Sequence, residues 1–245
     1  MQKNWYIGCS GFHYKEWKEL FYPKGLPQSR WFDYYAKRFN TLELNVTFYR
    51  FPKIPFLKSW YDKAPDDFLF SAKVPRSITH YRHLKGDSKR MLDDFYGLIK
   101  EGLGNKTGSV LFQLPKQLEY SDETLHNISE IADPGFTNVV EFRHESWWNK
   151  KVYQYLKKNK IVFCGHSYPK LADDVIINEK SAYYRFHGVP KLYKSSYSNK
   201  FLKEVLIALE NSKSKTNYLY FNNTWGMSAI NNALFIQKEL SKLEQ

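Results

Sequence analysis

The chain has 245 residues, 42% hydrophobic and 18% aromatic, which is enough for a large core and excludes a disordered polymer. Its 37 basic and 25 acidic side chains leave a formal charge of +12. That balance favours anionic partners: nucleic acid, phosphorylated metabolites or anionic headgroups. Two cysteines, Cys9 and Cys164, exclude a disulfide scaffold and a four-cysteine zinc site, and suit a reducing, cytoplasmic setting. Residues 1–9 hold no sustained apolar run, so no signal peptide is expected. No window reaches the roughly 18 apolar residues of a membrane helix, and a soluble protein is expected.

Short apolar runs predict strands at Trp5–Ser10, Thr41–Asn45, Phe68–Val74, Ser109–Leu114, Asn138–Arg143, Ile161–Gly165, Ala182–His187 and Asn217–Asn222. Helical spacing fills the gaps. Phe32, Tyr35, Ala36 and Phe39 share one face, as do Leu92, Phe95, Tyr96 and Ile99, and again Leu202, Val205, Leu206 and Leu209. Ser121, Ser146 and Ser198 stand where N-caps belong. Between strands six and seven, residues 168–180 show no convincing helix. Eight strands alternating with at least seven helices is the rhythm of a (β/α)8 barrel, which takes roughly 250 residues. No linker or low-complexity tract divides the chain, so residues 1–245 read as one α/β TIM-barrel-like domain with its sixth helix weak or missing. An open doubly wound sheet is the rival.

Barrel strands turn one face to the helices and the other inward, and the helix-facing set must be apolar. Leu42 and Leu44 then send Glu43 and Asn45 inward. By the same parity Lys73, Gln113, the pair Glu141 and Arg143, the pair Arg185 and His187, and Tyr220 with Asn222 point in. These polar groups lie near the carboxyl ends of their strands, where barrel enzymes assemble their sites. The set reads as an acid–base enzyme site for an anionic substrate, a phosphorylated sugar or nucleotide; hydrolase, lyase and isomerase chemistry stay open. Glu141 is the candidate general base and His187 the acid or shuttle, with Glu43 as a second carboxylate and Lys73 placed to steady an oxyanion. Arg143 and Arg185 would clamp the phosphate bidentately, with Asn45, Gln113 and Asn222 as further binding groups. The bland alternative is that Lys73, Arg143 and Arg185 only neutralise the two carboxylates in a buried network.

At these residues the sequence resembles the YecE-like family, domain-of-unknown-function family 72. The matching stretches are Gly8-Cys9-Ser10-Gly11-Phe12 with Tyr14 and Trp17, Phe21-Tyr22-Pro23, and Leu42-Glu43-Leu44-Asn45-Val46-Thr47-Phe48-Tyr49. They continue through Phe70-Ser71-Ala72-Lys73-Val74-Pro75 with Thr79-His80, Leu111-Phe112-Gln113-Leu114-Pro115, and Val140-Glu141-Phe142-Arg143-His144 with Ser146-Trp147. Tyr184-Arg185-Phe186-His187-Gly188 and Tyr220-Phe221-Asn222-Asn223 complete them. The resemblance runs from about Tyr6 to Leu240 and implies a TIM-barrel-like fold without an established activity. Tyr49 and His80, within these stretches, join the candidate substrate-binding residues. Two departures stand out. Family members often carry an Asp after the sixth strand, where this chain reads Cys164-Gly165-His166-Ser167, and a tryptophan often found after Ser-Gly is Phe12 here.

No cofactor is expected. A metal alternative would use Glu43, Glu141, His166 and His187 to hold zinc or manganese, but Arg and Lys within the set argue against a bound cation. A glycosidase pair is weak, because strands four and seven offer Gln113 and His187. No G-x-G-x-x-G, Walker loop or G-x-S-x-G elbow is present. From another class, a nucleic-acid-binding protein without catalysis would use the charge with His13, Tyr14, Trp17, His80, Tyr81, Arg82 and His83 as exposed contacts.

Overall fold

The computed structural model describes residues 3–243. In chain order the regular elements are β1 (Asn4–Cys9), α1 (Trp31–Ala36), β2 (Thr41–Leu44), α2 (Val46–Tyr49), α3 (Ile54–Lys63), β3 (Leu69–Lys73) and α4 (Ser88–Leu103). They continue as β4 (Thr107–Gln113), α5 (Asp122–Ile131), β5 (Asn138–Glu141), α6 (Lys150–Lys158), β6 (Val162–Ser167), β7 (Ser181–Phe186), α7 (Asn199–Glu210), β8 (Thr216–Phe221) and α8 (Ser228–Leu243). The eight strands stand in chain order in a closed barrel. No helix among the described residues is long and apolar enough to cross a membrane.

Local chemistry explains the helix boundaries. In α4 the side chains of Leu92, Phe95, Tyr96 and Ile99 recur on one face and are all buried. That helix stops at Gly104, whose φ of +48° suits a residue without Cβ. Ser121 caps α5 by accepting a hydrogen bond from the Thr124 amide, and Ser198 caps α7 through Phe201 N. Ser146, expected to cap α6, does not. It lies inside a single 3-10 turn, Glu145–Trp147, where its hydroxyl accepts from Tyr120 N at 2.8 Å. The Trp147 ring stacks on Phe142 at 4.1 Å and its Nε1 donates to Leu118 O, which holds that turn down. Helix α6 therefore begins later, with Asn149 accepting from Val152 N.

Three further boundaries differ from the spacing. Helix α1 ends at Ala36, and Phe39 packs from the turn beyond it, buried all the same. Strand β5 ends at Glu141, leaving Phe142 and Arg143 beyond it; β6 runs on to Ser167, whose carbonyl accepts from His187 N at 3.0 Å. Between β6 and β7, residues 168–180 form no helix. Here the connection lies close on its own strand. Tyr184 Oη donates to Asp173 O at 2.7 Å, and a Cβ on Gly165 would meet Asp174 O at 3.0 Å and the Tyr184 ring at 2.9 Å.

By contact density the chain divides into two compact units, one formed by the chain up to Glu43 together with Gly165 onward, the other by Leu44–Cys164. In the first, β1, β8 and β7 are in register, so that Tyr6, Tyr218 and Tyr183 fall in one row and Gly8, Tyr220 and Arg185 in the next. Tyr6 stacks on Tyr218 at 5.1 Å, and Tyr183 lies 5.1 Å from Tyr220, so tyrosines rather than aliphatics fill these rows. The second unit pairs β3, β4, β5 and β6, with Lys73 opposite Leu111 and Gln113 opposite Glu141. Helices α3 and α4 pack against each other at Leu57 and Gly102, where an added Cβ would come within 2.4 Å of Leu57 Cβ.

Candidate functional site

Each unit gathers its own set of the sequence-predicted residues. In the first unit Glu43 is fully buried at the end of β2. Its Oε1 accepts from Arg185 Nη2 at 2.6 Å and its Oε2 from Tyr183 Oη at 2.7 Å. Arg185 is equally buried. Both oxygens of the carboxylate are thus held, as desolvation of an ion pair demands. Burial, followed by the charge of Glu43, pushes the Tyr183 phenol well up, so it stays a proton donor to the carboxylate. Tyr183 was not among the expected residues, although it shares the inward parity of Arg185 and His187 and could have been read from it.

Just past the end of β7, His187 Nδ1 lies 3.0 Å from the side-chain amide nitrogen of Asn222, Nδ2. The amide is placed by its own backbone, Asn222 N donating to Phe186 O at 2.8 Å. His166 meets the His187 ring edge-on at 5.8 Å, and Tyr168 stands 5.6 Å away, so the stretch that departs from the family pattern contributes a histidine beside His187. Tyr197 Oη accepts from Gly188 N at 2.7 Å; burial pushes its phenol to about 12. Cys9 and Cys164 are both buried and form no disulfide, and burial holds the Cys9 thiol far above its ordinary range.

In the second unit Glu141 is buried at the end of β5 and pairs with Arg143, Oε1 to Nη2 at 2.9 Å. Lys73, at the end of β3, sets its ammonium 4.1 Å over the Phe48 ring. Phe48 in turn meets His80 edge-on at 5.0 Å. The His80 ring contacts Thr79 Oγ1 at 2.9 Å and Gln113 Nε2 at 3.3 Å. Its ordinary value of 6.5 falls to about 4, because burial disfavours the imidazolium and Lys73, His83, Arg143 and Arg76 add like charge. Asn45, expected inward on β2, is half-buried and stands at the N-cap position of α2 without capping it through its side chain. Tyr49 is largely exposed, and the Arg76 guanidinium sits between two rings, 5.4 Å from Tyr49 and 5.5 Å from Tyr81. Arg76 lies past the end of β3, where strand parity carries no information, and was missed for that reason.

One stacking residue of the nucleic-acid alternative is lost. Trp17 is fully buried, its Nε1 donating to Gly226 O at 2.8 Å, because the indole is used to pin the segment after β1. Among the described residues no three His, Cys, Asp or Glu side chains come together to hold a metal ion.

The family model described as "Protein of unknown function DUF72" matches residues 6–245. The chain belongs to this family. Over 204 residues it is 24% identical to the UPF0759 protein YunF of Bacillus subtilis, a match covering 75% of this chain and 70% of that protein. Over 148 residues it is 28% identical to the UPF0759 protein YecE of Escherichia coli, covering 59% of this chain and half of the relative. A crystal structure of a DUF72 family protein from Thermotoga maritima is similar over 97% of this chain and 99% of its own, with a TM-score of 0.87 and 30% identity. The barrel expected from the strand rhythm is therefore the fold this DUF72 chain shares with a solved relative.

Proposed function

We propose that this DUF72 protein is an enzyme that binds a phosphorylated small molecule, a sugar phosphate or nucleotide, and acts on it by acid–base chemistry. The observation that supports this most is the gathering of Lys73, Arg76 and Arg143 about one half-buried imidazole, His80, in the Leu44–Cys164 unit. Three cations around a neutral ring, with one paired carboxylate among them, form a field that an anion would relieve. Arg143, oriented by Glu141, and Lys73, steadied by Phe48, would take the phosphate oxygens. As the substrate's charge draws on Arg143, Glu141 is released to accept a proton. In the other unit His187, oriented by Asn222, is a second group able to carry a proton, while Glu43 and Arg185, bound to each other at 2.6 Å, hold the strands β2 and β7. With two cysteines and no disulfide between them, the enzyme would work in the cytoplasm.

The test is binding of a panel of sugar phosphates and nucleotides by calorimetry, comparing wild type with Arg143→Met and Lys73→Met. A ligand lost by tenfold or more in both variants supports the site. Equal affinity in all three proteins removes it.

A second reading, a binder of single-stranded nucleic acid, is favoured by exposed Tyr49 and Tyr81 flanking Arg76. Oligonucleotide affinity that falls steeply with salt and is lost in Tyr49→Ala would move it to first place. Affinity indifferent to salt would end it.

A further inference from the structure

Helix α2 and the segment after it line an open cavity of about 260 Å³. Phe51, Pro52, Phe56 and Val46 give it apolar walls, and Arg50 and Lys53 are its charged residues; no carboxylate lines it. Both cations are exposed, and neither side chain makes a hydrogen bond or ion pair among the described residues. Other exposed cations do find acids, as Lys85 finds Glu123 and Lys151 finds Asp122. Here they do not.

A second observation points the same way. Helix α3 opens at this cavity with Lys53 at its N-cap position, no side chain capping it and no acid in its first turn. Ser, Thr, Asp or Asn is the usual occupant of that position, and acids are favoured next to it, because the helix begins with donor N–H groups and a partial positive charge. A lysine there, with Arg50 close by in sequence, puts two cations at the helix start, where Pro55 carries no N–H and Phe56 N already donates to Lys53 O at 3.0 Å. An anion in the cavity would be met by these two side chains rather than by the helix's own amides.

We propose that this cavity binds a small amphipathic anion: one aromatic ring or short acyl chain bearing a carboxylate or a phosphate monoester. The apolar body rests on Phe51, Pro52 and Phe56, and the charge is met by Arg50 and Lys53. The site does not depend on the phosphate site proposed around Lys73 and Arg143, although the two share a wall. Thr47 lines the cavity, and its Oγ1 lies 2.6 Å from the Lys73 carbonyl.

Calorimetry on the full chain tests this with phenyl phosphate, phenylacetate and neutral benzyl alcohol, on wild type, Arg50→Gln/Lys53→Gln and Arg143→Met. The expected result is a site for phenyl phosphate or phenylacetate that Arg143→Met leaves intact, any second phenyl phosphate site being the one that variant removes. Benzyl alcohol should bind at least tenfold more weakly, and the double variant should lose at least tenfold for the anion. Whichever anion binds tighter tells carboxylate from phosphate. Both substituted side chains are exposed, so the double variant should melt with wild type. Three results overturn the proposal: benzyl alcohol binding equally well, anion binding in the double variant that persists when Arg143→Met is added to it, or no binding by either anion at millimolar concentration. Loss of anion binding in Arg143→Met alone would assign the ligand to the other site and also overturn it.

Discussion

Two buried carboxylates of similar sequence context are held in different ways, and the difference sets what each can do. Glu43 is bound by Arg185 and Tyr183 and fully enclosed, so removing one partner strands a charge in the core. Arg185→Met is expected to cost about 3–5 kcal/mol in urea unfolding, whereas adding Glu43→Met to it should recover much of the loss. A double variant no more stable than Arg185→Met would show that the pair is worth more than its desolvation. At His80 the expectation concerns pH. The folded ring takes a proton near 4 and the unfolded ring near 6.5, so between these values the unfolded chain binds more protons. Stability due to this group is therefore lost as pH falls from about 6.5 to about 4, and His80→Gln should flatten that part of the profile. Nuclear magnetic resonance should find the His80 midpoint near 4, and a bound phosphate should raise it by neutralising Lys73 and Arg143. A midpoint insensitive to every phosphorylated ligand in the panel would count against the proposed anion site. Glu43, Lys73, Glu141 and Arg185 were legible in the sequence because each alternates with buried apolar neighbours on a strand. Arg76 and the Tyr49–Tyr81 pair were not, since they lie in the connections after β2 and β3, where no periodicity constrains direction.

Among the elements, helix α4 holds a contrast that separates propensity from packing. Gly97 faces solvent, and a Cβ there meets nothing within 4 Å. Gly97→Ala should stabilise by about 0.5–1 kcal/mol, the ordinary gain of alanine over glycine in a helix. Gly102, in the same helix, is pressed against Leu57 of α3, and its Cβ would fall 2.4 Å from Leu57 Cβ. Gly102→Ala should destabilise despite the same gain in propensity, because overpacking costs about 1–3 kcal/mol. Thermal unfolding of the two variants should therefore move in opposite directions. Capping obeys the same logic. Ser121→Ala should cost about 1 kcal/mol, and Ser146→Ala should leave α6 capped by Asn149. The serine spacing before α6 resembled a cap signal, but Trp147 seats the intervening turn against Phe142, and tertiary packing took precedence. The missing helix after β6 was legible from residues 168–180, whereas the close approach of that connection to Gly165 was not.

For the whole molecule, the net charge of +12 and the cations around His80 lead to one joint expectation. A phosphorylated ligand at ~100 times its Kd should add about 2.7 kcal/mol of stability, hence a rise of several degrees in Tm at roughly 2–4 °C per kcal/mol. Sodium chloride at equal ionic strength should not reproduce it; a matching rise with chloride would reduce the effect to general screening. The sequence by itself determined the eight strands, their order of alternation with helices and the DUF72 resemblance. It could do so because the period-two pattern of a strand buried against helices is written into neighbouring residues. What the tertiary structure decided is pairing: that Tyr183 joins Arg185 on Glu43, that Asn222 orients His187, and that Arg76 stands between two exposed tyrosines. It also decided that two cations and an uncapped helix start share one cavity. Those partners come from different strands and loops, and the direction of a side chain beyond a strand's end is set by packing across the fold rather than by its neighbours in the chain.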